Sequence, residues 1–294
     1  MPTTIALPRE HPSYPSALRD IPGWPSFLYC HGTLAQEGPA VAIVGARAAS
    51  RQGRDMALAL AGDLAAGGHR IISGGALGVD SAAHEGALRS GGYTAAVMAC
   101  GLDSYYPRRN QKLFEAIVER GGAVVSPYED GSLPLQGRFV RRNQVIAALA
   151  DLVVVVEAST NSGSLHTARF ALRLGRKLAV VGGSPGCELL VAEGIPAVQR
   201  AEDVERLLAG ESVPCLAQLP KAGSAADLVL RQLSTRQARS AAEIHEELGI
   251  PLRTAQRSLL RLHLDLLAVA LPGQRYRLSQ LAAGALAAAR PYAL

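Results

Sequence analysis

Cysteine is scarce in this sequence and nowhere clustered. The four cysteines lie far apart along the chain and form no Cys-x-x-Cys pair: Cys30, Cys100, Cys187 and Cys215. This spacing argues against a zinc module and against a disulfide-stabilised scaffold, so reduced and mostly buried thiols are expected. The histidines have no metal-ligand spacing either, and the sequence predicts no metal cofactor.

Long hydrophobic runs are also absent. A membrane-spanning helix needs about 18 apolar residues in succession, whereas the longest candidate run, 152–156, ends at Glu157. The first 15 residues lack the apolar core of a signal peptide. The sequence therefore predicts a cytoplasmic protein with no membrane partner.

Lysine and aromatic residues are few, and arginine supplies nearly all of the positive charge. Only three of the 30 basic residues are lysines, aromatic residues make up 4% of the 294-residue chain, and the net charge is +5. From residue 222 onward there are nine arginines and five acidic residues, so this part holds most of the excess charge. Arginine binds phosphate with a planar fork and stacks on bases. Nucleic acid is therefore a candidate ligand, and a coding bias towards arginine is the alternative explanation.

The middle of the chain alternates between two patterns. Short apolar runs begin near residues 41, 70, 94, 123, 152 and 178. Stretches with helical spacing separate them, at about 51–66, 79–90, 110–120, 141–150, 164–175 and 202–209. Runs that are apolar on both faces are typical of parallel strands covered by helices on both sides. The alternation predicts an α/β fold in residues 39–210, a Rossmann-like, doubly wound and mostly parallel sheet.

The regions on either side of this core have other patterns. Residues 1–38 are rich in proline and aromatics without sustained periodicity, which favours an irregular N-terminal arm packed on the core. Residues 211–224 contain two prolines and are predicted to be a linker. Residues 225–294 predict three helices followed by a hairpin that turns at 272–273. This order favours a winged-helix domain, with a small helical interaction module as the alternative.

Four loops that follow predicted strands are rich in glycine and small polar residues: 45–53, 73–80, 159–167 and 182–186. In an open parallel sheet these loops meet at the edge where ligands bind, and their backbone amides can approach an anion. We therefore expect an anion-binding rim whose residues include Gly45, Ser162, Gly163 and Ser164. None of the loops has the Walker A ending or the dinucleotide fingerprint after the first strand. The sequence thus predicts no nucleotide cofactor and argues against a dehydrogenase.

Basic residues form two clusters in this region. The first consists of Arg108, Arg109 and Lys112, and the second of Arg138, Arg141 and Arg142 around Phe139. An aromatic ring within an arginine cluster suits single-stranded nucleic acid, because the ring can stack on a base while guanidinium groups hold phosphates. The alternative is that Phe139 covers the core at a helix start and the arginines are solvated.

A catalytic set is a further hypothesis. Asp80 and His84 are four residues apart on a predicted helix, and Glu157 ends a neighbouring strand. Together they could serve as acid, base and orienting group. A pairing of Asp80 with His84 that only fixes the loop is the favoured alternative.

Five segments of the sequence resemble the DNA-processing protein A (DprA, or Smf) family in order and spacing. They are VAIVGARAASRQG, IISGGALGVDSAAHEGAL, AAVMACGLDSYYPRRNQKL, FVRRNQVIAALA and VVVVEASTNSGSLHTARFALRLGRKLAVVGG. The resemblance extends over about residues 8–209, and the winged-helix tail is also similar to that family's. It implies a core that binds single-stranded DNA, forms a homodimer and protects incoming DNA. It also implies loading of RecA recombinase during natural transformation, with no catalytic reaction.

The resemblance also implies DNA-site residues by position: Arg47, Ser73, Gly74, Gly75, Phe139, Arg142 and Asn143. The chain departs from the family pattern at Val140, where a proline is usual, and at Gln144, where an arginine is usual. The neighbouring Arg138 and Arg141 can supply the missing charge.

Two rival functions fit part of the sequence. Related Rossmann folds cleave nucleoside monophosphates at the N-glycosidic bond, but the corresponding loop here, 161–167, lacks the required glutamate. A regulator that binds double-stranded DNA through the tail would leave the rim of the core without a role. The sequence therefore favours a non-catalytic mediator that binds single-stranded DNA.

Overall fold

The computed structural model describes residues 2–211, 213, 219–264, 267–279, 282–283 and 286. The chain divides into two compact units, residues 1–212 and residues 213–294, and each is described by itself. Cys215 and most neighbouring residues of the predicted linker lie outside the described residues. Within the described part of the chain, no helix is long and apolar enough to cross a membrane.

The first unit is built on an eight-stranded sheet. Its strands are β1 (Ile5–Pro8), β2 (Phe27–Gly32), β3 (Ala40–Val44), β4 (Arg70–Ser73), β5 (Thr94–Val97), β6 (Ala123–Ser126), β7 (Leu152–Val155) and β8 (Lys177–Val180). Its α-helices are α1 (Arg51–Ala66), α2 (Val79–Arg89), α3 (Gln111–Glu119), α4 (Gln136–Ala148), α5 (Ser164–Arg173), α6 (Pro185–Ala192) and α7 (Ala201–Leu208). Short 3-10 helices occur at Ser16–Asp20 and Arg108–Asn110.

The order of the strands places a switch point in the middle of the sheet. The order is β1-β2-β6-β5-β4-β3-β7-β8, and all neighbours from β6 to β8 pair in parallel. β3 lies between β4 and β7, so the chain builds the sheet outward in one direction and then in the other. The predicted Rossmann-like, doubly wound sheet is confirmed. Ligands bind such sheets beyond the carboxyl ends of the strands at the switch point, which here is the end of β3 and β7.

The buried core accounts for the short apolar runs in the sequence. Every residue of β3, β5, β6 and β7 is buried, so both faces of the sheet are covered and apolar residues predominate in these strands. Helices α1 and α2 pack closely because glycine faces the contact. A Cβ on Gly86 would overlap the carbonyl oxygen of Leu58.

Residues 1–38 are more regular than the predicted irregular arm. β1 pairs antiparallel with β2, and β2 continues the sheet beyond β6. Tyr14 and Leu28 are buried, and Asp20 forms a 2.7 Å ion pair with Arg176, so this segment packs on the core as expected. The two strands were not predicted because neither is a continuous run of buried apolar residues and a proline-rich connection without periodicity separates them.

Two helices differ from the prediction. α4 begins at Gln136, five residues before its predicted start, so Phe139 lies within its first turn. α6 was not predicted, because its first residues, Pro185 and Gly186, have the composition of a turn. Proline is nevertheless well suited to the first position of a helix, where no donor is required.

The second unit contains three helices and a three-stranded sheet among its described residues. The elements are α8 (Ala225–Gln232), β9 (Arg239–Ser240), α9 (Ala241–Leu248), α10 (Leu252–Leu264), β10 (Ala268–Leu271) and β11 (Arg275–Leu278), with strand order β10-β11-β9. Ser240 and Glu243 form the capping box that their spacing predicts. Arg275, on the hairpin, forms a 3.0 Å ion pair with Glu243. This order of elements agrees with the winged-helix interpretation, which stays a prediction.

Candidate functional site

A pocket of about 1100 Å³ opens at the switch point of the sheet. Its walls come from the loops after β3, β7 and β8 and from the first half of α4. Eight of the residues predicted for the site line it: Gly45, Arg47, Phe139, Arg142, Asn143, Ser162, Gly163 and Ser164. The predicted loops that line the pocket thus lie at the switch point of the sheet.

The loop after β3 is held in place by Glu157. The Glu157 carboxylate accepts hydrogen bonds from the backbone N–H of Ser50, at 3.0 Å, and from the Ser50 hydroxyl, at 2.6 Å. The Ser50 oxygen in turn accepts from the Gly53 N–H and caps α1. A Cβ on Gly53 would overlap the Glu157 carboxylate, so a larger residue there would displace this carboxylate. Glu157 therefore fixes the shape of the loop.

Arg47 and Phe139 lie together at the wall of the pocket. The Cζ atom of Arg47 is 4.9 Å from the centroid of the half-buried Phe139 ring, within the range of a cation–π contact. The ring of Tyr106 approaches Phe139 edge-on, with 5.8 Å between centroids. The pocket thus presents a cation and an aromatic ring side by side.

Arg142 fastens α4 to the ends of two strands. Its side chain is buried and donates to the carbonyl of Gly74, at 2.6 Å, and to that of Val97. Burial lowers the pKa of Arg142 to about 10, and the nearby Asp80 opposes that shift, so the guanidinium stays charged at neutral pH. Burial raises the pKa of the Asp80 carboxyl, while Arg142 and the Ala76 amide lower it.

Three predicted residues of the loop after β4 do not line the pocket. Ser73 is buried and donates its hydroxyl to a main-chain carbonyl of β3. A Cβ on Gly74 would lie 2.7 Å from a carboxylate oxygen of Asp80 and 2.8 Å from a nitrogen of Arg142. Gly75 has a φ of +67°, which favours glycine. These three residues therefore support the pocket from behind, and Ala76 is the residue of this loop that lines it.

Arg138 and Arg141 also lie outside the pocket. The Cζ atom of Arg138 is 4.8 Å from the centroid of the Tyr128 ring, and that of Arg141 is 4.5 Å from the Trp24 ring. No pattern in the sequence indicates either contact, since Trp24 belongs to the N-terminal arm and Tyr128 follows another strand. The basic cluster predicted around Phe139 is thus divided between the two sides of α4.

The start of α5 faces the pocket, and the Ser162 hydroxyl accepts from the Ser164 N–H there at 3.4 Å. Residues 162–164 form this start; the N-cap, Gly163, has no side chain and the first turn has no acidic residue. The N-terminal end of a helix attracts anions, and Asn143 ties it to α4 through the Gly163 carbonyl, at 3.2 Å. In the loop after β8, the amide of Gly183 already donates to the Glu188 carboxylate, at 2.6 Å. The loop before α5 therefore offers the better anion site.

The proposed acid–base set is not assembled. His84 is fully buried and its Nδ1 atom pairs with the Thr94 hydroxyl, at 2.7 Å. Burial lowers the pKa of His84 to about 3, so the ring is neutral. No hydrogen bond joins Asp80 to His84, and Glu157 is engaged by Ser50. The structure therefore does not bring these three side chains together as an acid–base set, and no hydrogen bond from Asp80 to His84 fixes the loop. Among the described residues, no group of three or more histidine, cysteine or acidic side chains could hold a metal ion.

The fold and the pocket define a Rossmann-like α/β protein with an arginine and an aromatic ring at its switch point, and comparisons with known proteins specify the family. The chain belongs to the DNA recombination-mediator protein A family, whose model matches residues 6–209. The putative DNA processing protein DprA of Mycobacterium tuberculosis is 39% identical over 196 residues, 65% of this chain and 50% of that protein. Protein Smf of Escherichia coli is 38% identical over 210 residues, 69% and 56% of the two chains. The chain thus spans about half the length of these relatives.

Solved structures agree with this assignment. DNA processing protein A from Streptococcus pneumoniae has a TM-score of 0.65 and 37% identity, over 69% of this chain and 74% of that chain. The protein from Helicobacter pylori, whose structure was reported for its single-stranded DNA binding mode, has a TM-score of 0.64 and 31% identity, over 71% and 97%.

Proposed function

We propose that the switch-point pocket binds single-stranded DNA without reading its base sequence. The observation that carries this proposal is the Arg47 guanidinium over the Phe139 ring, beside the start of α5, whose first turn has no acidic residue. A ring can stack on any base, and a guanidinium and backbone amides can hold any phosphate. These groups therefore bind the flat face of the base and the phosphate, which all nucleotides have.

The charges in the pocket favour an anionic ligand. Two carboxylates line it, but Glu157 is engaged by Ser50, and Asp80 is buried next to Arg142. Arg47 forms no ion pair with any described residue. Its charge is therefore available for a phosphate of the ligand.

The experiment that tests this proposal compares labelled single-stranded and double-stranded oligonucleotides of the same length in equilibrium binding to the full chain. We expect tighter binding of the single strand and a linear fall of log affinity with log salt, by roughly 0.7 per phosphate contact. Equal affinities for the two forms, or an affinity that salt does not change, would contradict the proposal.

The cellular role is the finer part of the proposal. We infer that the chain is a cytoplasmic homodimer that protects incoming single strands and loads RecA recombinase onto them during natural transformation. Membership of the DNA recombination-mediator family supports this role. Light scattering should show a dimer at micromolar concentration, and the chain should accelerate RecA filament formation on single-stranded DNA. A chain that is monomeric at this concentration and does not accelerate RecA filament formation would contradict the proposed cellular role.

No reaction is assigned to the pocket. The rival function, cleavage of nucleoside monophosphates, lacks its required glutamate in the loop 161–167, and Asp80, His84 and Glu157 each have other partners. Incubation of the chain with the common nucleoside monophosphates should release no free base. Release of free base by the wild type that is lost when Asp80 is substituted would favour the enzyme.

A further inference from the structure

Two arginines lie over two neighbouring aromatic rings on the side of α4 away from the pocket. Arg141 stands over Trp24 and Arg138 over Tyr128, with distances of 4.5 Å and 4.8 Å from Cζ to the ring centroids. The two rings are themselves 6.2 Å apart, tilted by 50°. We call these four residues the Trp24 surface.

The positive charge of this surface is not neutralised. Neither Arg138 nor Arg141 forms an ion pair with any described residue. Arg138 donates one hydrogen bond, to the carbonyl of Leu133 at 2.9 Å, and Arg141 is exposed. Trp24 and Tyr128 are half-buried, so part of each ring remains accessible.

The Trp24 surface is close to the pocket in terms of the fold. Arg138 and Arg141 belong to the same first turns of α4 that carry Phe139, and one helical turn advances only about 5 Å along the axis. Tyr128 follows β6, at the carboxyl edge of the sheet where the pocket opens. A chain of nucleotides that leaves the pocket needs to pass only the start of α4 to reach Trp24.

We propose that the Trp24 surface is a second subsite for the same DNA strand, which takes the nucleotides next to those in the pocket. This inference rests on the proposed function of the pocket. Arg138 and Arg141 hold phosphates, and a base stacks on Trp24 when the Arg141 guanidinium turns from the ring to the phosphate. Cations beside accessible rings, without carboxylates paired to them, are the groups that single-stranded nucleic acid requires.

Trp24 is the single tryptophan of the chain, so its fluorescence reports on this surface alone. The full chain is titrated with fluorescently labelled oligothymidylates of about 4 to about 20 nucleotides, which covers the usual range of single-strand site sizes. Anisotropy of the label measures binding, and tryptophan emission measures contact with Trp24. We expect the shortest oligomers that bind to leave the emission nearly unchanged, and longer ones to quench it.

A double variant, Arg138→Gln/Arg141→Gln, separates the two subsites. It should bind the long oligomer about tenfold more weakly and with a smaller salt slope, by about 1.4 for two lost phosphate contacts, while its affinity for the short oligomer stays that of the wild type. Arg169→Gln/Arg173→Gln is the matched control, since both of these arginines are exposed on the neighbouring helix α5 and should not matter. Thermal unfolding of all variants checks that they are folded.

The outcomes distinguish this inference from the function on which it rests. Failure of every oligomer to bind the wild type contradicts the proposed function itself. Binding without quenching at any length, or wild-type affinity of the double variant at every length, overturns the second subsite and leaves the pocket intact. Quenching by polyglutamate but by no oligomer would assign the surface to an acidic protein and would also overturn the proposal.

Discussion

Removal of the Phe139 ring separates a binding role from a structural one. Phe139 is half-buried, and its ring contacts the guanidinium of Arg47 and the edge of Tyr106. One base stacked on an aromatic ring contributes about 1–3 kcal/mol, so Phe139→Ala should weaken single-strand binding by about 5-fold to about 150-fold. The salt dependence of binding should not change, because no charge is removed.

The same substitution has a stability cost that must be measured separately. Full burial of a phenylalanine makes its replacement by alanine cost about 3–5 kcal/mol, and a half-buried ring should cost about half of that. Phe27→Ala is the control, since Phe27 is 45% exposed on β2 and does not line the pocket. Equilibrium binding and urea denaturation are measured on both variants. If Phe139→Ala loses stability but binds DNA like Phe27→Ala, the ring is structural and the reasoning about stacking is refuted.

Three further predictions concern the tail, the helix packing and the buried histidine. A chain that ends at residue 220 should keep most of its single-strand affinity in equilibrium binding, and a hundredfold loss would place the main site in the tail. Gly86→Ala should lower the free energy of unfolding, measured by urea denaturation, by about 1–3 kcal/mol, because its Cβ meets the Leu58 carbonyl. Gly137→Ala is the control and should not destabilise the protein, since a Cβ there has no neighbour within 4 Å. Equal stabilities of the two variants would contradict the close packing of α1 on α2. The folded chain keeps His84 neutral down to about pH 3, while the unfolded chain protonates it below about pH 6.5. Stability should therefore fall by about 2 kcal/mol from pH 8 to pH 5 on account of this group, and His84→Asn should remove that part of the fall in denaturation at both pH values.

The parallel core could be predicted from the sequence because each of its strands is buried on both faces. Apolar runs such as those of β3 and β7 are too short to cross a membrane and are typical of strands covered on both faces. The positions of Gly45, Arg47 and the loop before α5 then followed from topology, since parallel strands end at one edge. The strands of residues 1–38 could not be predicted, because they are partly exposed and so lack the continuous apolar run that marks the central strands.

The division of the arginine cluster could not be predicted either. Arg138 and Arg141 are sequence neighbours of Phe139, but their ring partners lie far away or on another loop, and only the direction of α4 decides which side each faces. The role of Glu157 was missed for a similar reason. Its partner, Ser50, is 107 residues away, and no local pattern connects a carboxylate after one strand with a helix cap after another.

The salt dependence of single-strand affinity in wild-type protein and in Arg47→Gln tests the central claim most directly. Arg51→Gln is the matched control, because Arg51 begins α1 nearby, faces Asp55 at 3.7 Å and does not line the pocket. We expect Arg47→Gln to weaken binding and to lower the slope of log affinity against log salt by about 0.7, the loss of one phosphate contact, while Arg51→Gln changes neither. An affinity and a slope for Arg47→Gln equal to those of the wild type would contradict the claim that DNA binds at the switch-point pocket.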